Sequence, residues 1–350
     1  MSKKKSSFLF KVLKMSLTML AVFLFVLILA FVVFYFWASS GTQPRDKLRE
    51  ILTYGDTPES QEIQEIFTVM TYNMGYLSGM TNNQPEKRPG KAFFDKNMES
   101  FLQLLEEIQP DIIGFQEIDF HSQRSHYVNQ LETIAQKAGY PYAVKGINWD
   151  KRYLPFPYWP PSVHFGRVLS GQAVLSRWPI LSGERIVLSK PKNKPFFYNA
   201  FYLDHLILAA KIKIGGRELI ILNVHLVDID RETREEQAKR LLNVYHLFKD
   251  NYPVLLLGDF NSIPPDAPRK KDFTDEPEMD FRNDRTIAFF LEEPGLKAAD
   301  ITGFTFPTAN PTRKLDYIFY THDKIRLIKV FIPDIAGSDH LPTVMQFSFK

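Results

Sequence analysis

The chain has 350 residues, 45% of them hydrophobic and 24% charged, and it contains no cysteine. These proportions exclude a largely disordered chain, while the absence of cysteine excludes disulfides and thiolate metal sites and fits an exported domain. The formal net charge is +3, but five lysines precede residue 15, and without them the remaining chain has a charge of −2. This balance disfavours a wide basic surface for nucleic acid.

The first predicted element is a membrane-spanning helix at residues 15–38. This run of 24 residues has no charged side chain and is dominated by Leu, Phe, Val and Ala. At about 1.5 Å per residue it reaches about 36 Å, which is enough to span a bilayer. A cleaved signal peptide is the alternative, because small residues follow at positions 38–41, but its apolar region is usually about 7–15 residues long. We therefore predict an uncleaved anchor.

The residues before this helix predict its orientation. They contain five lysines, namely Lys3, Lys4, Lys5, Lys11 and Lys14, and no acidic residue. After the helix, basic and acidic residues are mixed. The positive-inside rule then places residues 1–14 in the cytoplasm and the folded part of the chain on the other side of the membrane. The prediction is a single-pass membrane protein with an extracytoplasmic domain.

Residues 39–65 are predicted to be a polar linker. They contain Gly41, Pro44 and Gly55, and we predict one short helix around residues 47–52. The linker would act as a tether between the anchor and one globular domain at residues 66–350.

Hydrophobic periodicity predicts the elements of that domain. Two segments have apolar residues at helical spacing, 95–108, which ends before Pro110, and 231–248. Alternating or continuous apolar runs predict strands at 67–74, 111–117, 207–214, 218–225, 253–258, 315–320, 325–332 and 343–349. Strands interleaved with helices in two similar halves favour an α/β sandwich of two packed sheets flanked by helices.

Five polar motifs follow strand-like runs along this domain. They are Thr71-Tyr72-Asn73, Gln116-Glu117, Asn223-Val224-His225, Gly258-Asp259-Phe260-Asn261 and Ser338-Asp339-His340-Leu341-Pro342. Any one of these residues could have an ordinary structural role, such as capping a turn or a helix. Together they supply oxygen ligands for a hard cation, a base for an attacking water and donors for a developing charge. This combination is typical of metal-assisted phosphoester hydrolysis.

In these motifs the chain resembles the endonuclease/exonuclease/phosphatase superfamily, which includes deoxyribonucleases, inositol-polyphosphate phosphatases and neutral sphingomyelinases. The resemblance extends from about Phe67 to the C-terminus. It implies a four-layer α/β sandwich of two packed, mainly antiparallel β-sheets flanked by helices. It also implies a metal-dependent hydrolase that acts on phosphoester bonds with Mg²⁺, or Mn²⁺ in its place.

The resemblance assigns the metal and the water to four residues. Glu117 corresponds to the carboxylate that binds the divalent cation, and Asn73 completes the cation's shell or contacts the phosphoryl group. Asp259 corresponds to the carboxylate that positions or deprotonates the attacking water. Asn261 corresponds to the amide that donates to the developing charge.

The remaining site residues are histidines and their partners. His340 corresponds to the essential imidazole, which the resemblance implies is oriented and kept charged by Asp339. His225 corresponds to a histidine near the leaving group. Asp316, in Leu315-Asp316-Tyr317, supports His340 or a second metal position. Which histidine is the acid and which is the base stays open.

Departures from the family motifs bear on the substrate. Asn73 is followed by Met74 and Gly75, whereas abasic-site endonucleases carry a second Asn two residues after the first. Leu315-Asp316-Tyr317 differs from the aromatic-Cys-Asp-Arg element of inositol-polyphosphate phosphatases. The motifs are closer to the branch that contains sphingomyelinase-like phosphodiesterases.

Two aromatic segments are the last predicted feature. The segment between Gly146 and Gly166 is rich in proline and aromatic residues, which predicts an irregular loop, and a second patch lies at 196–202. Both segments either pack on the domain or contact the membrane interface.

The sequence thus predicts a membrane-anchored, Mg²⁺-dependent phosphoesterase whose substrate is a phospholipid or another membrane-proximal phosphoester rather than nucleic acid. No obligate protein partner is evident in the sequence. The alternatives are a tethered nuclease that acts on DNA or RNA outside the cytoplasm and a catalytically silent, membrane-bound binding module.

Overall fold

The computed structural model of the protein describes residues 2–55, 64–82 and 88–350, with side chains from residue 6 onward. Residues 56–63 of the predicted linker and the side chains of Lys3, Lys4 and Lys5 lie outside this part. Its α-helices are α1 (Ser2–Ser39), α2 (Lys91–Ile108), α3 (Gln130–Ala138), α4 (Phe196–Phe201), α5 (Arg231–Phe248) and α6 (Thr286–Leu291).

The strands in the described residues belong to two sheets. The first half of the chain contributes β1 (Arg49–Thr53), β2 (Phe67–Asn73), β3 (Ile112–Asp119), β4 (Tyr142–Leu154), β5 (Gly166–Ser176) and β6 (Ile180–Val187). The second half contributes β7 (Leu206–Ile214), β8 (Arg217–His225), β9 (Val254–Asp259), β10 (Leu296–Ala298), β11 (Asp316–Thr321), β12 (Ile325–Phe331) and β13 (Thr343–Phe349).

The sheet order confirms the predicted architecture. One sheet has the order β1-β4-β5-β3-β2-β13-β12 and the other has the order β10-β11-β9-β8-β7-β6. Among the described strands, β2 pairs with β3 and β8 pairs with β9 in parallel, and the other pairings are antiparallel. The chain therefore forms two packed, mainly antiparallel sheets.

Apolar side chains hold four layers together. Val69 and Ile112 of the first sheet pack against Ile221 and Leu257 of the second. On the outer face of the first sheet, α2 and α3 contribute a cluster that includes Phe101. On the outer face of the second sheet, α5 and α6 contribute a cluster that contains Leu241, Tyr245, Ile287 and Phe290. The helices therefore flank the two sheets as predicted.

Two local predictions are wrong. Residues 49–53 form an edge strand rather than part of a helix, because β1 finds a partner in β4, where Leu52 pairs with Ala143. The segment between Gly146 and Gly166 is only partly irregular, because β4 continues to Leu154 and includes Trp149 and Tyr153. The prolines begin at Pro155 and stop the strand there.

The first helix leaves the domain at one end. Over Ser6–Ser39 it is long and apolar enough to cross a membrane, and the most apolar part of that span is exposed. Its last residues differ from the rest, because Ala38 is fully buried against the domain.

Candidate active site

Strand register brings three site residues side by side in the second sheet. His225 at the end of β8 lies opposite Asp259 at the end of β9, and Asp259 lies opposite Asp316 at the start of β11. Gly258 has a φ of 142°, and a Cβ at this position would lie 1.9 Å from the carbonyl oxygen of Val224. Only glycine therefore allows β8 and β9 to approach so closely beneath the site.

The first sheet contributes Asn73 and Glu117 at the ends of its parallel pair. Asn73 donates from Nδ2 to Oδ2 of Asp259 over 2.9 Å, which connects the two sheets across the site. Glu117 lies where the register between β3 and β5 shifts, and its φ is 49°. A glutamate in the left-handed region of φ is uncommon, and a bulge of this kind redirects a side chain. The bulge turns Glu117 out of the regular alternation of β3.

His340 is paired with Asp316 rather than with Asp339. Its Nδ1 lies 2.9 Å from Oδ2 of Asp316, and both side chains are buried. Burial lowers the pKa of His340, but the charges of Asp316 and Asp259 outweigh burial and raise that pKa to about 10. The imidazole is therefore charged at neutral pH and donates from Nδ1 to Asp316. The expectation that Asp339 orients this ring is wrong, because Asp339 is directed elsewhere.

Asp339 instead lies beside Glu117. Asn82 donates from Nδ2 to Oε2 of Glu117 over 3.0 Å and to Oδ2 of Asp339 over 3.3 Å. Burial raises the pKa of the Asp339 carboxyl, the charge of His340 opposes this, and the charge of Glu117 raises it further. Asn82 was not found from the sequence, because it follows no strand-like run and joins the site only through tertiary contact.

His225 completes the contacts around Asp259. Its Nε2 lies 3.6 Å from Oδ2 of Asp259 and 4.0 Å from Oε1 of Glu117, while Nε2 of His340 lies 3.7 Å from the same Asp259 oxygen. Burial raises the pKa of Asp259, although the charges of His340 and His225 oppose that change. Asp259 thus has two imidazoles at similar distances.

A third buried histidine, His205, lies behind His225. Nδ1 of His205 lies 2.9 Å from the carbonyl oxygen of His225, and its Nε2 lies 3.2 Å from the hydroxyl of Tyr202. Burial and then the neighbouring His225 lower the pKa of His205. The neutral ring therefore donates from Nδ1 to the carbonyl. The sequence held a signal for His205, because it precedes the predicted strand 207–214 that pairs with the strand ending at His225.

Asn261 has contacts different from those expected. It donates from Nδ2 to the carbonyl oxygen of Leu226 over 2.9 Å and from its backbone nitrogen to Oδ1 of Asp259 over 2.9 Å. These bonds fix the loop after β9 and hold the Asp259 carboxylate. Donation from the Asn261 side chain to a developing charge stays a prediction.

The predicted site residues thus meet at one edge of the two sheets, which we call the site edge. Asp259, Asp316 and His340 lie together, with side-chain atoms of all three within 4.8 Å of one another. The charged ring of His340 has no free lone pair, so the donors for a cation are the carboxylates. Oδ1 of Asp316 is buried without a hydrogen-bond partner among the described residues. Glu117 and Asp339 add two neighbouring carboxylates. This oxygen-rich set of donors suits a divalent cation such as Mg²⁺.

The fold has clear relatives among solved structures. The human Nocturnin catalytic domain with bound sulfate is 18% identical, with a TM-score of 0.56, over 88% of this chain and all of that one. A mannosyl-6-phosphatase from Bacteroides thetaiotaomicron is 16% identical, with a TM-score of 0.54, over 81% of this chain and all of that one. A D. rerio TDP2 in complex with a single-strand DNA product is 12% identical, with a TM-score of 0.54, over the same shares. These similarities concern the fold.

Sequence comparison gives the family. A search of curated protein sequences found no match. The Endonuclease/Exonuclease/phosphatase family, however, matches residues 70–340, a range that begins just before Asn73 and ends at His340. The chain therefore belongs to the endonuclease/exonuclease/phosphatase family of hydrolases, which act on phosphoester bonds.

Proposed function

We propose that the protein is a membrane-anchored, Mg²⁺-dependent phosphoesterase that hydrolyses a phospholipid or another phosphoester at the membrane. The observation that carries the hydrolytic part is the charged pair of His340 and Asp316 beside Asp259, with Glu117 and Asp339 next to it. Buried charges are retained in a fold only when they are paired or when they serve a ligand or a reaction. The intact set argues against a catalytically silent binding module.

The carboxylates would hold the cation. Glu117 and Asp339 are the first candidates because Asn82 brings them together, and Asn73 lies next to them at the end of β2. When bound, Mg²⁺ would neutralise charge on the phosphoryl oxygens and lower the pKa of a coordinated water.

Asp259 would position the attacking water and accept its proton. Asn73 and the backbone of Asn261 fix its two oxygens, and its raised pKa makes the carboxylate a better base. His340, held charged by Asp316, would donate from Nε2 to a phosphoryl oxygen and stabilise the developing negative charge. His225 lies on the other side of Asp259, near the expected position of the leaving group. Either imidazole could protonate the leaving group.

The membrane part of the proposal depends on α1. The uncharged part of this helix, residues 15–38, follows five lysines and would place residues 1–14 in the cytoplasm and the domain outside it. A domain held at the bilayer meets lipid phosphoesters at high local concentration. The slightly acidic charge of residues 15–350 adds to the preference for lipid over nucleic acid.

A tethered nuclease is the second candidate. It is favoured by the structural similarity to TDP2 in complex with single-strand DNA product. A soluble phosphomonoester is a further possibility, since the mannosyl-6-phosphatase has the same fold.

The substrate test uses the full chain in detergent micelles or nanodiscs with Mg²⁺. It is assayed against phospholipids, sphingolipids, inositol phosphates, a sugar phosphate, DNA and RNA. We expect a lipid phosphoester to be hydrolysed fastest, with activity lost on addition of a chelator and restored by excess Mg²⁺ but not by Ca²⁺ alone. Faster cleavage of DNA or RNA than of every lipid would replace the proposal by the nuclease.

Orientation is tested separately. Protease added outside intact cells or spheroplasts should digest the domain after residue 53, while a tag at residue 1 stays protected. Digestion of the tag with protection of the domain would show the reverse orientation.

A further inference from the structure

The end of the anchor helix is packed into the catalytic domain from two sides. The ring of Phe34 lies 5.9 Å from that of Tyr153 on β4. The ring of Tyr35 lies 5.6 Å from Phe201 and 6.5 Å from Phe196, both on α4. Aromatic pairs at these distances attract beyond simple burial. The helix therefore emerges between β4 and α4.

The chain that follows the helix is bound to the same strand. Lys151 donates from Nζ to the carbonyl oxygen of Ser39, and the backbone nitrogen of Arg152 donates to that of Ser40, each over 3.0 Å. The backbone nitrogens of Thr42 and Gln43 donate to Oδ2 of Asp150 over 2.6 and 2.7 Å.

Further along, residues 49–53 pair with β4 as β1. Residues 39–53 are therefore docked along β4 rather than free. The orientation of the domain relative to the anchor is fixed by these contacts, which a flexible tether would not achieve.

Exposed aromatic side chains surround the point where the helix emerges. Tyr158 is 72% exposed, Trp159 78%, Phe196 78% and Phe197 56%. We call these four residues the aromatic rim. Other aromatics of the same loops, such as Phe165 and Phe156, pack in a cluster of their own. Two rim rings also contact the fold, Tyr158 against Phe156 and Phe196 against Tyr35. These contacts still leave more than half of each rim residue exposed, and folding does not account for apolar surface left in water.

The rim lies on the same edge of the sheets as the catalytic residues. Asp119, two residues after Glu117, pairs with Ser170 on β5. The β4–β5 hairpin continues beyond Ser170 by four residues of β5, to the pair of Leu154 and Gly166. At about 3.3 Å per residue the hairpin extends about 13 Å beyond that point. The exposed loop residues Tyr158 and Trp159 are at its tip.

The other half of the rim reaches this edge through α4. This helix ends just before Tyr202, whose hydroxyl contacts His205, and His205 in turn contacts the carbonyl oxygen of His225. The two halves of the rim thus lie beside the two sheets that form the site, on the side from which the anchor emerges.

We propose that the aromatic rim inserts into the membrane interface and, with the docked anchor, holds the site edge facing the bilayer. Tyrosine and tryptophan are the residues that favour this interface, and membrane contact there is continuous with the end of the spanning helix. This inference rests on the proposed function and narrows its substrate to a phosphoester in the leaflet from which the domain emerges. A long soluble polyanion would have to enter between the rim and the membrane.

The absence of cysteine allows a direct test on the full chain in nanodiscs. Single cysteines replace Trp159 and Phe196 and carry an environment-sensitive fluorophore, with brominated lipids as quenchers. Leu247 is the matched control, because it is 72% exposed and apolar but lies at the end of α5, at the opposite edge of the sheets. A cysteine replacing Leu24 reports insertion of α1.

We expect a blue shift and strong quenching at positions 159 and 196, as at position 24, and neither change at position 247. A label that is buried in lipid at position 24 but exposed to water at positions 159 and 196 would refute insertion of the rim and leave the membrane anchor unaffected. Exposure to water at all three positions would refute both the membrane anchor and the insertion of the rim. The fluorescence readout does not depend on enzymatic activity. Failure of the proposed function in the substrate assay can therefore be distinguished from failure of the rim to insert.

Discussion

The candidate active site and the aromatic rim lie at the same edge of the sheets, yet they break the usual burial pattern in opposite ways. Asp259, Asp316 and His340 are charged groups that are buried, whereas Trp159 and Phe196 are apolar groups that are exposed. Charges are seldom fully buried without a partner, and large apolar patches are seldom left in water. The buried charges have their partners within the chain. Among the described residues the rim makes only a few ring contacts, such as that of Phe196 with the anchor helix, and most of its surface stays exposed, which fits the proposed contact with lipid.

The strongest test of this comparison removes the catalytic groups one at a time. His340→Ala, Asp259→Ala and Glu117→Ala should each lower turnover by about 10²–10⁴-fold, because each removes a group that transfers a proton or holds the cation. His246→Ala is the matched control, since this histidine lies on α5 and bonds only to Glu293 among the contacts described. Folding is checked by circular dichroism. Near-normal turnover of folded His340→Ala would refute the assignment.

A second test separates the two acids near His340. Asp316→Asn should lower turnover by about 10²-fold, because it removes the charge that orients the imidazole. It should also move the alkaline limb of the pH–rate profile to lower pH, since Asp316 is the main group that raises the pKa of His340. Asp339→Asn should instead raise the Mg²⁺ concentration required for half-maximal rate and shift that limb less. Identical profiles for the two variants would contradict the pairing seen here.

The site also depends on a polar bridge beneath it, between the two sheets. Gln116 donates from Nε2 to Oδ1 of Asn223 over 2.5 Å, and Asn223 donates to the carbonyl oxygens of Phe115 and Ala173. Asn223→Leu leaves buried polar groups unpaired and should lower the free energy of unfolding by about 1–3 kcal/mol.

Thermal unfolding of the full chain in one detergent measures this loss. Asn251→Leu, at an exposed asparagine after α5, is the control and should change the midpoint little. Equal midpoints for the two variants would show that the bridge contributes nothing.

The smallest expected effect belongs to the rim. Replacing both Tyr158 and Trp159 with Ser should reduce hydrolysis of vesicle-borne substrate several-fold, because the site edge is held less firmly against the bilayer, while hydrolysis of a small soluble phosphodiester is unchanged. The two rates are measured on the same preparation. If both fall together, the loop supports the structure of the site rather than contact with lipid.

Much of the site could be predicted from the sequence, because residue types and local spacing carry the signal. The apolar periodicity of 231–248 matches α5 from end to end, and Asn73, Glu117, His225 and Asp259 each come at or next to the end of a predicted strand. The family motifs added Asp316 and His340. All of these residues lie at the site edge, because the carboxyl ends of β2, β3, β8 and β9 meet there.

The sequence by itself determined the long apolar helix, eight of the thirteen strands in the described residues and the residue types of the candidate site, since each depends on near neighbours in the chain. Tertiary structure decided which residues touch. Asp316, not the adjacent Asp339, pairs with His340 across 24 positions, and Asn82 and His205 join the site from segments without a motif. Residues 49–53 became a strand, and the aromatic rim came to lie at the site edge. Pairing between distant strands set these contacts, and local propensity carries no information about which distant partner a strand will find.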